Sequence, residues 1–387
     1  MKRKPRILIL TPTYTAGSGI CVTEMAKLLN RDYEVMMIGL GEGKKVEGIK
    51  MIKIPYPSFE SFNPKLGSNI FVNVLYQIPL QILGAFYLLR FRPDVVMSNG
   101  FTPILFSLPF IKILKPGVFV YYGSYLNRVV KNKLIFNAIK SLDNFVDIIF
   151  VLTKGMGEDL YPLFSREKFV VIKHWTDIVP VYKKEREEIR KRYGLKNDDF
   201  ILLFVGRFCL EKGLNQLVKV INKCTDIKNI QFWFVGSGVM EDKVMDLVKK
   251  RSDVLYKGFV TDRNKLRELY GASDLLWSFA DESYVAKPAI EGLTVGVPLI
   301  IPNTAGVIEK YRWNIKVKKD LIPRNIGWIV DDENIDEICR LIKKIVEKKL
   351  ITWKIRESCI EYAKKNHTKK NMEAAVEKFK QFIEKNR

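Results

Sequence analysis

Arg207 and Lys212 stand five residues apart in Phe204-Val205-Gly206-Arg207-Phe208-Cys209-Leu210-Glu211-Lys212-Gly213, where an apolar run breaks into glycine. Two cations held in one loop suit the stabilisation of negative charge that grows on a phosphate as a bond to it breaks, because they act most strongly on the transition state. The second stretch with chemical content is Asp281-Glu282-Ser283-Tyr284-Val285-Ala286-Lys287-Pro288-Ala289-Ile290-Glu291-Gly292. Pro288 fits the first turn of a helix, where its missing N–H leaves nothing unpaired, so Glu291 falls about one turn inside and faces whatever the loop holds. The free N–H groups and positive dipole end of such a helix attract anions.

Regular elements must position these loops. Strand-like runs at 201–205, 230–235, 254–256 and 274–279 end in Gly206-Arg207, Gly236-Ser237-Gly238, Gly258-Phe259-Val260 and the segment from Asp281, and another run, 298–302, follows the helix. In open parallel sheets, ligands settle outside the carboxyl ends of the strands. The same rhythm runs through the N-terminal half, with strands expected at 6–10, 34–40, 94–97, 118–122, 147–152 and 168–172, and helices at 20–30, 103–114 and after Thr153. Its first loop carries Gly17-Ser18-Gly19, which by itself is a weak dinucleotide fingerprint: a third glycine is missing and no acidic residue ends the second strand. After Glu309 the pattern gives a strand at 327–330 and helices from Ile335, Thr352 and Lys370. A chain of 387 residues exceeds what one core usually supports. The expected fold class is therefore α/β, with two doubly wound parallel-sheet domains.

Taken together, Gly206-Arg207 with Glu211-Lys212-Gly213, Val235-Gly236-Ser237-Gly238, and the segment from Asp281 to Glu291 followed by Gly296-Val297-Pro298-Leu299 resemble glycosyltransferase family 4. These are retaining sugar transferases of the GT-B fold, two facing Rossmann-like domains with a C-terminal helix crossing back. The resemblance implies an acceptor-side domain at 1–177, a nucleotide-sugar donor domain at 178–366, and a returning helix at 367–387. His174-Trp175-Thr176-Asp177 stands where the family has an Asn-Gly-Val-Asp turn at the join. It implies a hexosyltransferase-type enzyme that moves a sugar, with retention, from a nucleotide-diphosphate sugar to a glycan, lipid-linked or other hydroxyl acceptor. In that reading Arg207 and Lys212 neutralise the leaving diphosphate, Glu291 accepts the ribose hydroxyls, Val260 meets the base through its backbone, and Gly236, Val285, Ala286 and Lys287 line the donor. Gly17, Ser18 and Gly19 match a loop that closes on the diphosphate. Counting back eight residues from Glu291, the family's first glutamate falls on Ser283, with Glu282 displaced by one: either the loop presents Glu282, or the sugar is held differently. Tyr122, in Tyr121-Tyr122-Gly123-Ser124, takes the place of a frequent histidine, as does Asn99 elsewhere. In a same-face retaining reaction the departing phosphate takes the acceptor's proton, which leaves Tyr122 or Ser124 to orient a hydroxyl or Tyr122 merely to pack. A non-catalytic nucleotide-sugar binding protein is the alternative, and an oxidoreductase rests on Gly17-Ser18-Gly19 alone.

Composition narrows the partners. Lys+Arg number 65 against 43 Asp+Glu, a net charge of +22 that divides into +10 for residues 1–180 and +12 for the remainder. No zinc-finger, basic-zipper or RNP-like pattern is present, so no nucleic-acid partner is expected. Anionic membrane surface is the better match to the charge, beside a composition of the kind seen in heat-adapted proteins. Residues 66–89 carry no charge, but Asn69, Asn73, Gln77 and Gln81 recur every four residues and Pro79 interrupts the pattern, so an amphipathic surface-lying or buried helix is expected in place of a membrane span. The chain has no Asp-X-Asp, two histidines and five scattered cysteines. Free thiols, no metal and no cofactor are expected, the nucleotide sugar being a substrate. The start, Met1-Lys2-Arg3-Lys4-Pro5, leads straight into a strand. A cytoplasmic protein, peripheral at the inner face of a membrane, is the expectation.

Overall fold

The computed structural model describes residues 3–14, 17–41, 45–55, 75–123, 133–209, 212–278, 280–281, 284–303, 322–331 and 333–386. Two units make up the chain, residues 1–174 with 370–387, and residues 175–369. The division falls at His174, three residues before the expected boundary at 177.

The first unit runs β1 (Arg6–Thr11), α1 (Gly17–Leu29), β2 (Glu34–Leu40), β3 (Lys50–Ile54), α2 (Ile78–Phe91), β4 (Val95–Asn99), a 3-10 turn (Thr102–Ser107), α3 (Leu108–Leu114), β5 (Gly117–Tyr122), α4 (Lys133–Lys140), β6 (Ile148–Val151), α5 (Lys154–Leu160) and β7 (Phe169–Val171). All seven strands are parallel, in the order β3-β2-β1-β4-β5-β6-β7. Ile7, Leu8, Ile9 and Leu10 are wholly buried, which is why β1 reads as a continuous apolar run: helices cover both faces of a parallel sheet. β3, with lysines at both Lys50 and Lys53, is an edge strand that the apolar pattern did not announce.

The second unit runs α6 (Lys183–Arg192), β8 (Phe200–Val205), α7 (Leu214–Lys223), β9 (Ile230–Val235), α8 (Glu241–Lys250), β10 (Val254–Tyr256), α9 (Arg263–Ala272), β11 (Leu275–Trp277), β12 (Ala280–Asp281), β13 (Tyr284–Val285), α10 (Lys287–Val295), β14 (Leu299–Pro302), β15 (Gly327–Val330), α11 (Ile335–Glu347) and α12 (Trp353–Asn366). Its parallel sheet has the order β10-β9-β8-β11-β14-β15, with β12 and β13 forming a separate antiparallel pair. Asp274 braces the N-terminal ends of β8 and β11. Its carboxylate accepts from Arg186 (2.7 Å), Arg190 (3.1 Å), Arg356 (2.8 Å) and the Ile201 amide (2.9 Å). The last helix, α13 (Lys370–Lys385), belongs to the first unit, where Phe379 meets the ring of Phe119 at 4.5 Å.

Two expectations are corrected. Cys224 and Cys339 form a disulfide with Cα atoms 5.6 Å apart, joining the end of α7 to α11, while Cys21, Cys209 and Cys359 are free and buried. The pair is 115 residues apart, so no sequence spacing reveals it. Pro79 does not interrupt a helix; it occupies the first turn of α2, where a missing N–H costs nothing. Residues 66–74 of the uncharged stretch, including Asn69 and Asn73, lie outside the described residues.

Candidate active site

Strand order reverses twice in this chain, between β1 and β4 and between β8 and β11. Such switch points open a crevice at the carboxyl ends of the strands. The loops with Gly17-Ser18-Gly19 and Gly206-Arg207 lie at these two places, and those after β9 and β10 adjoin the second.

In the second unit, the loops after β8, β9 and β10 are laced by backbone hydrogen bonds: Gly206 N–H to Val235 O (3.0 Å), Phe208 N–H to Ser237 O (2.8 Å) and Gly236 N–H to Gly258 O (3.0 Å). A Cβ on Gly236 would lie 1.9 Å from Gly206 O, and its φ of 140° is open to glycine alone. This lattice holds Arg207, which is exposed, at the rim. Gly213 starts α7 with a φ of 69° and delivers Lys212 to a pocket of about 40 Å³, where it joins Gly206, Trp277, Ser278, Ala286 and Pro288. Trp277 forms part of the pocket wall, and its indole N–H is buried with no hydrogen-bond partner among the described residues. The N-terminus of α10 opens on the same place and has no side-chain cap at Ala286. A larger open groove of about 460 Å³ lies at the N-terminal ends of β9 and β10, where the Lys257 ammonium stands 4.1 Å from the Trp233 ring; it touches none of the glycine-bearing loops of the site.

Glu291 lies in α10, one turn in as expected, and is 3% exposed. Its carboxylate is not bare. Oε1 accepts from the Arg263 guanidinium at 2.9 Å and Oε2 from the Tyr270 hydroxyl at 3.1 Å. Burial and the neighbouring carboxylate push the Tyr270 hydroxyl well above its ordinary range, so it stays a donor. Arg263 also grips Asp177 at 2.5 Å and the Thr176 hydroxyl at 3.3 Å. Burial opposes the charges of Arg263 and Asp177, but their pairing outweighs it: the guanidinium, also beside Glu291, is raised, and the Asp177 carboxyl is held below its usual range, with Lys287 adding to the effect. Each Glu291 oxygen keeps a lone pair beyond the bond it accepts. Sequence reasoning missed Arg263, Tyr270, Asp177 and Trp277. The first sits 28 residues from Glu291, and no periodicity joins them.

Val285 and Ala286 are buried, Lys287 is half-buried at the start of α10, and Val260 packs against the apolar core beside the exposed Phe259. Glu282, Ser283, Leu210 and Glu211 lie outside the described residues. The antiparallel pair β12–β13, with Ala280 opposite Val285 and Asp281 opposite Tyr284, brackets Glu282 and Ser283.

In the first unit, Gly17, Ser18 and Gly19 begin α1 at the β1/β4 switch point. A Cβ on Gly19 would lie 2.1 Å from Thr13 O, so glycine is required there. The Asn99 amide donates to the Thr11 hydroxyl (3.0 Å) and lies 3.3 Å from that of Ser18. Tyr122 stands at the end of β5 with its ring 4.9 Å from that of Phe101, which stacks on Phe164 at 4.8 Å. Ser124 lies outside the described residues. His174 is buried with Nδ1 3.5 Å from the Cys21 sulfur, a packing position. Among the described residues no cluster of three or more His, Cys, Asp or Glu is arranged to hold a metal.

Residues 185–366 match the family Glycosyl transferases group 1. The matched span lies within the second unit. An uncharacterized glycosyltransferase of Methanocaldococcus jannaschii is 24% identical over 227 residues, 56% of this chain and 54% of its own length. The alpha-monoglucosyldiacylglycerol synthase of Acholeplasma laidlawii is 22% identical over 197 residues, 46% of this chain and 49% of its own. The chain thus spans about half the length of these two relatives. A crystal structure of Anabaena HepE in complex with UDP-glucose superposes with a TM-score of 0.72 at 14% identity, covering 97% of this chain and 99% of that one. The fold is GT-B, with two Rossmann-like units and a C-terminal helix. Within the matched span fall Gly206, Arg207, Lys212, Gly236, Val260, Arg263 and Glu291, whereas Asp177 precedes it.

Proposed function

We propose that the protein transfers a hexose, with retention of anomeric configuration, from a nucleotide-diphosphate sugar held by the second unit to a hydroxyl acceptor held by the first. The observation that carries this reading is the β8/β11 switch point, where Lys212, Trp277 and the start of α10 converge on one pocket, with exposed Arg207 in the loop that follows β8. Cleavage of the bond from the anomeric carbon to the diphosphate places negative charge on the leaving phosphate and oxocarbenium character on the sugar. Arg207, Lys212 and the α10 N–H groups are fixed donors for that charge and act most strongly in the transition state. Glu291, oriented by Arg263 and Tyr270, receives the ribose hydroxyls. The departing phosphate takes the acceptor's proton on the same face, so a tyrosine at 122, a poor base at neutral pH, is compatible with turnover. Arg207 and Lys212 perform the charge neutralisation that a divalent ion performs elsewhere, and activity is expected to persist in EDTA.

HepE is described in complex with UDP-glucose, so UDP-glucose is the first donor to try, followed by GDP and ADP sugars. The Acholeplasma relative is named for a product on diacylglycerol. That name, with the net charge of +22, favours a lipid-linked acceptor and peripheral attachment at the inner face of a membrane. The test is release of nucleoside diphosphate together with NMR assignment of the product anomer. Binding of a nucleotide sugar with neither transfer nor hydrolysis, across donors and acceptors, would overturn catalysis in favour of a binding protein; an inverted product would overturn retention.

A further inference from the structure

Eleven large apolar side chains are well exposed among the described residues, and six of them lie on one surface. Leu75, Ile82, Phe86 and Leu89 follow one face of α2 and the turn before it, and Phe106 and Ile113 extend that face over the 3-10 turn and α3; all six are between 44% and 74% exposed. Right-handed crossovers from β3 to β4 and from β4 to β5 put both helices on the same side of the sheet.

α2 is apolar on two sides. Leu80, Ala85, Leu88 and Phe91 are buried inward together with Gln77 and Gln81, the Gln77 Oε1 accepting from the Thr102 hydroxyl at 2.6 Å, while Ile82, Phe86 and Leu89 face outward. Water disfavours such a face, and patches of this kind mark interaction surfaces.

Charge selects the partner. Between Glu60 and Asp143 the chain has nine lysines and arginines and one acidic residue, Asp94. That acid is occupied by Arg3 (3.3 Å) and by the Arg6 amide (2.8 Å). A net +8 of the molecule's +22 therefore belongs to the 82-residue stretch of sequence that contains the apolar face. Arg90, Arg92, Lys112 and Lys115 are exposed where α2 and α3 end, and these ends adjoin, since Gly117 N–H donates to Asp94 O at 2.9 Å. An apolar face rimmed by cations fits the boundary between acyl chains and acidic headgroups. A second copy of the chain would bring the same positive charge against itself.

We infer that the outward face of α2, the 3-10 turn and α3 is a docking surface for an anionic lipid bilayer, with Leu75, Ile82, Phe86, Leu89, Phe106 and Ile113 entering the interface and Arg90, Arg92, Lys112 and Lys115 holding headgroups. This deepens the membrane attachment proposed above, and it does not require transfer chemistry. No helix among the described residues is long and apolar enough to cross a membrane, so the contact is with one leaflet. The face also reaches the end of the sheet that carries Asn99, because Thr102, bonded to Gln77, follows β4. A lipid-linked hydroxyl acceptor docked there arrives beside Asn99 and Ser18.

The experiment is flotation of the full chain with vesicles of phosphatidylcholine, alone or mixed with phosphatidylglycerol. Binding to the anionic vesicles at low salt, falling as salt rises, is expected. Phe86→Glu with Ile113→Glu should lower the bound fraction at least tenfold with an unchanged melting temperature, and Lys112→Glu with Lys115→Glu should lower it and flatten the salt dependence. Absence of binding at low salt, or unaltered binding by the Phe86→Glu, Ile113→Glu protein, overturns the inference. So does a wild-type dimer that Phe86→Glu converts to a monomer. Vesicle binding by a protein that transfers no sugar supports the surface and counts against the transfer reading alone.

Discussion

Removing Arg263 tests the argument that Glu291 is a positioned carboxylate. The guanidinium lies 2.9 Å from Glu291 Oε1 and 2.5 Å from an Asp177 oxygen. At an effective dielectric of about 20, a pair at that first distance attracts by roughly 6 kcal/mol before desolvation is subtracted. Loss of one partner from a fully buried pair costs about 3–5 kcal/mol, most of it from the charge left behind. Here the carboxylate side chain is 5% exposed but the guanidinium 33%, so water replaces part of what is removed. Arg263→Ala is therefore expected to cost about 2 kcal/mol of stability, and Glu291→Gln about 1 kcal/mol, since Gln keeps the shape and one acceptor. In the double variant no buried charge is stranded, and a coupling energy of about 1–2 kcal/mol should appear in the cycle. Urea unfolding measures the cycle, and calorimetry with UDP measures the second consequence. Nucleotide affinity should fall at least tenfold in Arg263→Ala and recover in part in Arg263→Lys, which a purely structural arginine would not produce. Additivity within about 0.5 kcal/mol, or unaltered UDP affinity in Arg263→Ala, refutes the reasoning.

Other outcomes follow from the same geometry. Arg207→Ala and Lys212→Ala should each lower kcat about 10²–10³-fold, close to 3–4 kcal/mol, with a smaller effect on binding of the donor's uncharged part; unchanged turnover in both removes the donor-site assignment. Asp274→Ala strands Arg186, Arg190 and Arg356, two of which burial already pushes below their ordinary range, and should destabilise the second unit by about 3–5 kcal/mol on denaturant unfolding. Because pairing with Arg263 lowers the Asp177 carboxyl, its contribution is present above the unfolded value of about 3.9 and is lost as pH falls through the lower folded value. Stability measured from pH 5 downward should decline less steeply in Asp177→Asn; an identical acid limb would count against the pairing.

Local rules made much of the architecture legible. Apolar runs such as Ile201–Val205 and Ile230–Val235 are continuous because parallel strands are buried on both faces, and the observed β8 and β9 coincide with them within one residue. Gly206, Gly236 and Gly213 could be read as loop residues because glycine is the side chain that tolerates their φ of 151°, 140° and 69°. Edge strand β3 escaped, since Lys50 and Lys53 break up its short apolar run and only the pairing with β2 defines it as a strand. Residues 282–283, on which the comparison of Glu282 with Ser283 turned, lie outside the described residues, as do 210–211.

The sequence by itself determined most of the order of strands and helices, the class of fold, and the loops that carry glycine and cations, because those depend on periods of 2 and 3.6 residues and on backbone freedom at single positions. Tertiary structure alone decided which groups meet across long separations. Arg263 reaches Glu291 because α9 and α10 pack together, Cys224 reaches Cys339 because α7 and α11 pack together, and Asn99 reaches Ser18 because β4 lies beside β1. It alone decided, too, which way α2 turns. The helix is apolar nearly all round, so its pattern alone does not choose a side: Leu80, Ala85, Leu88 and Phe91 are buried together with Gln81, and Ile82, Phe86 and Leu89 are left outside.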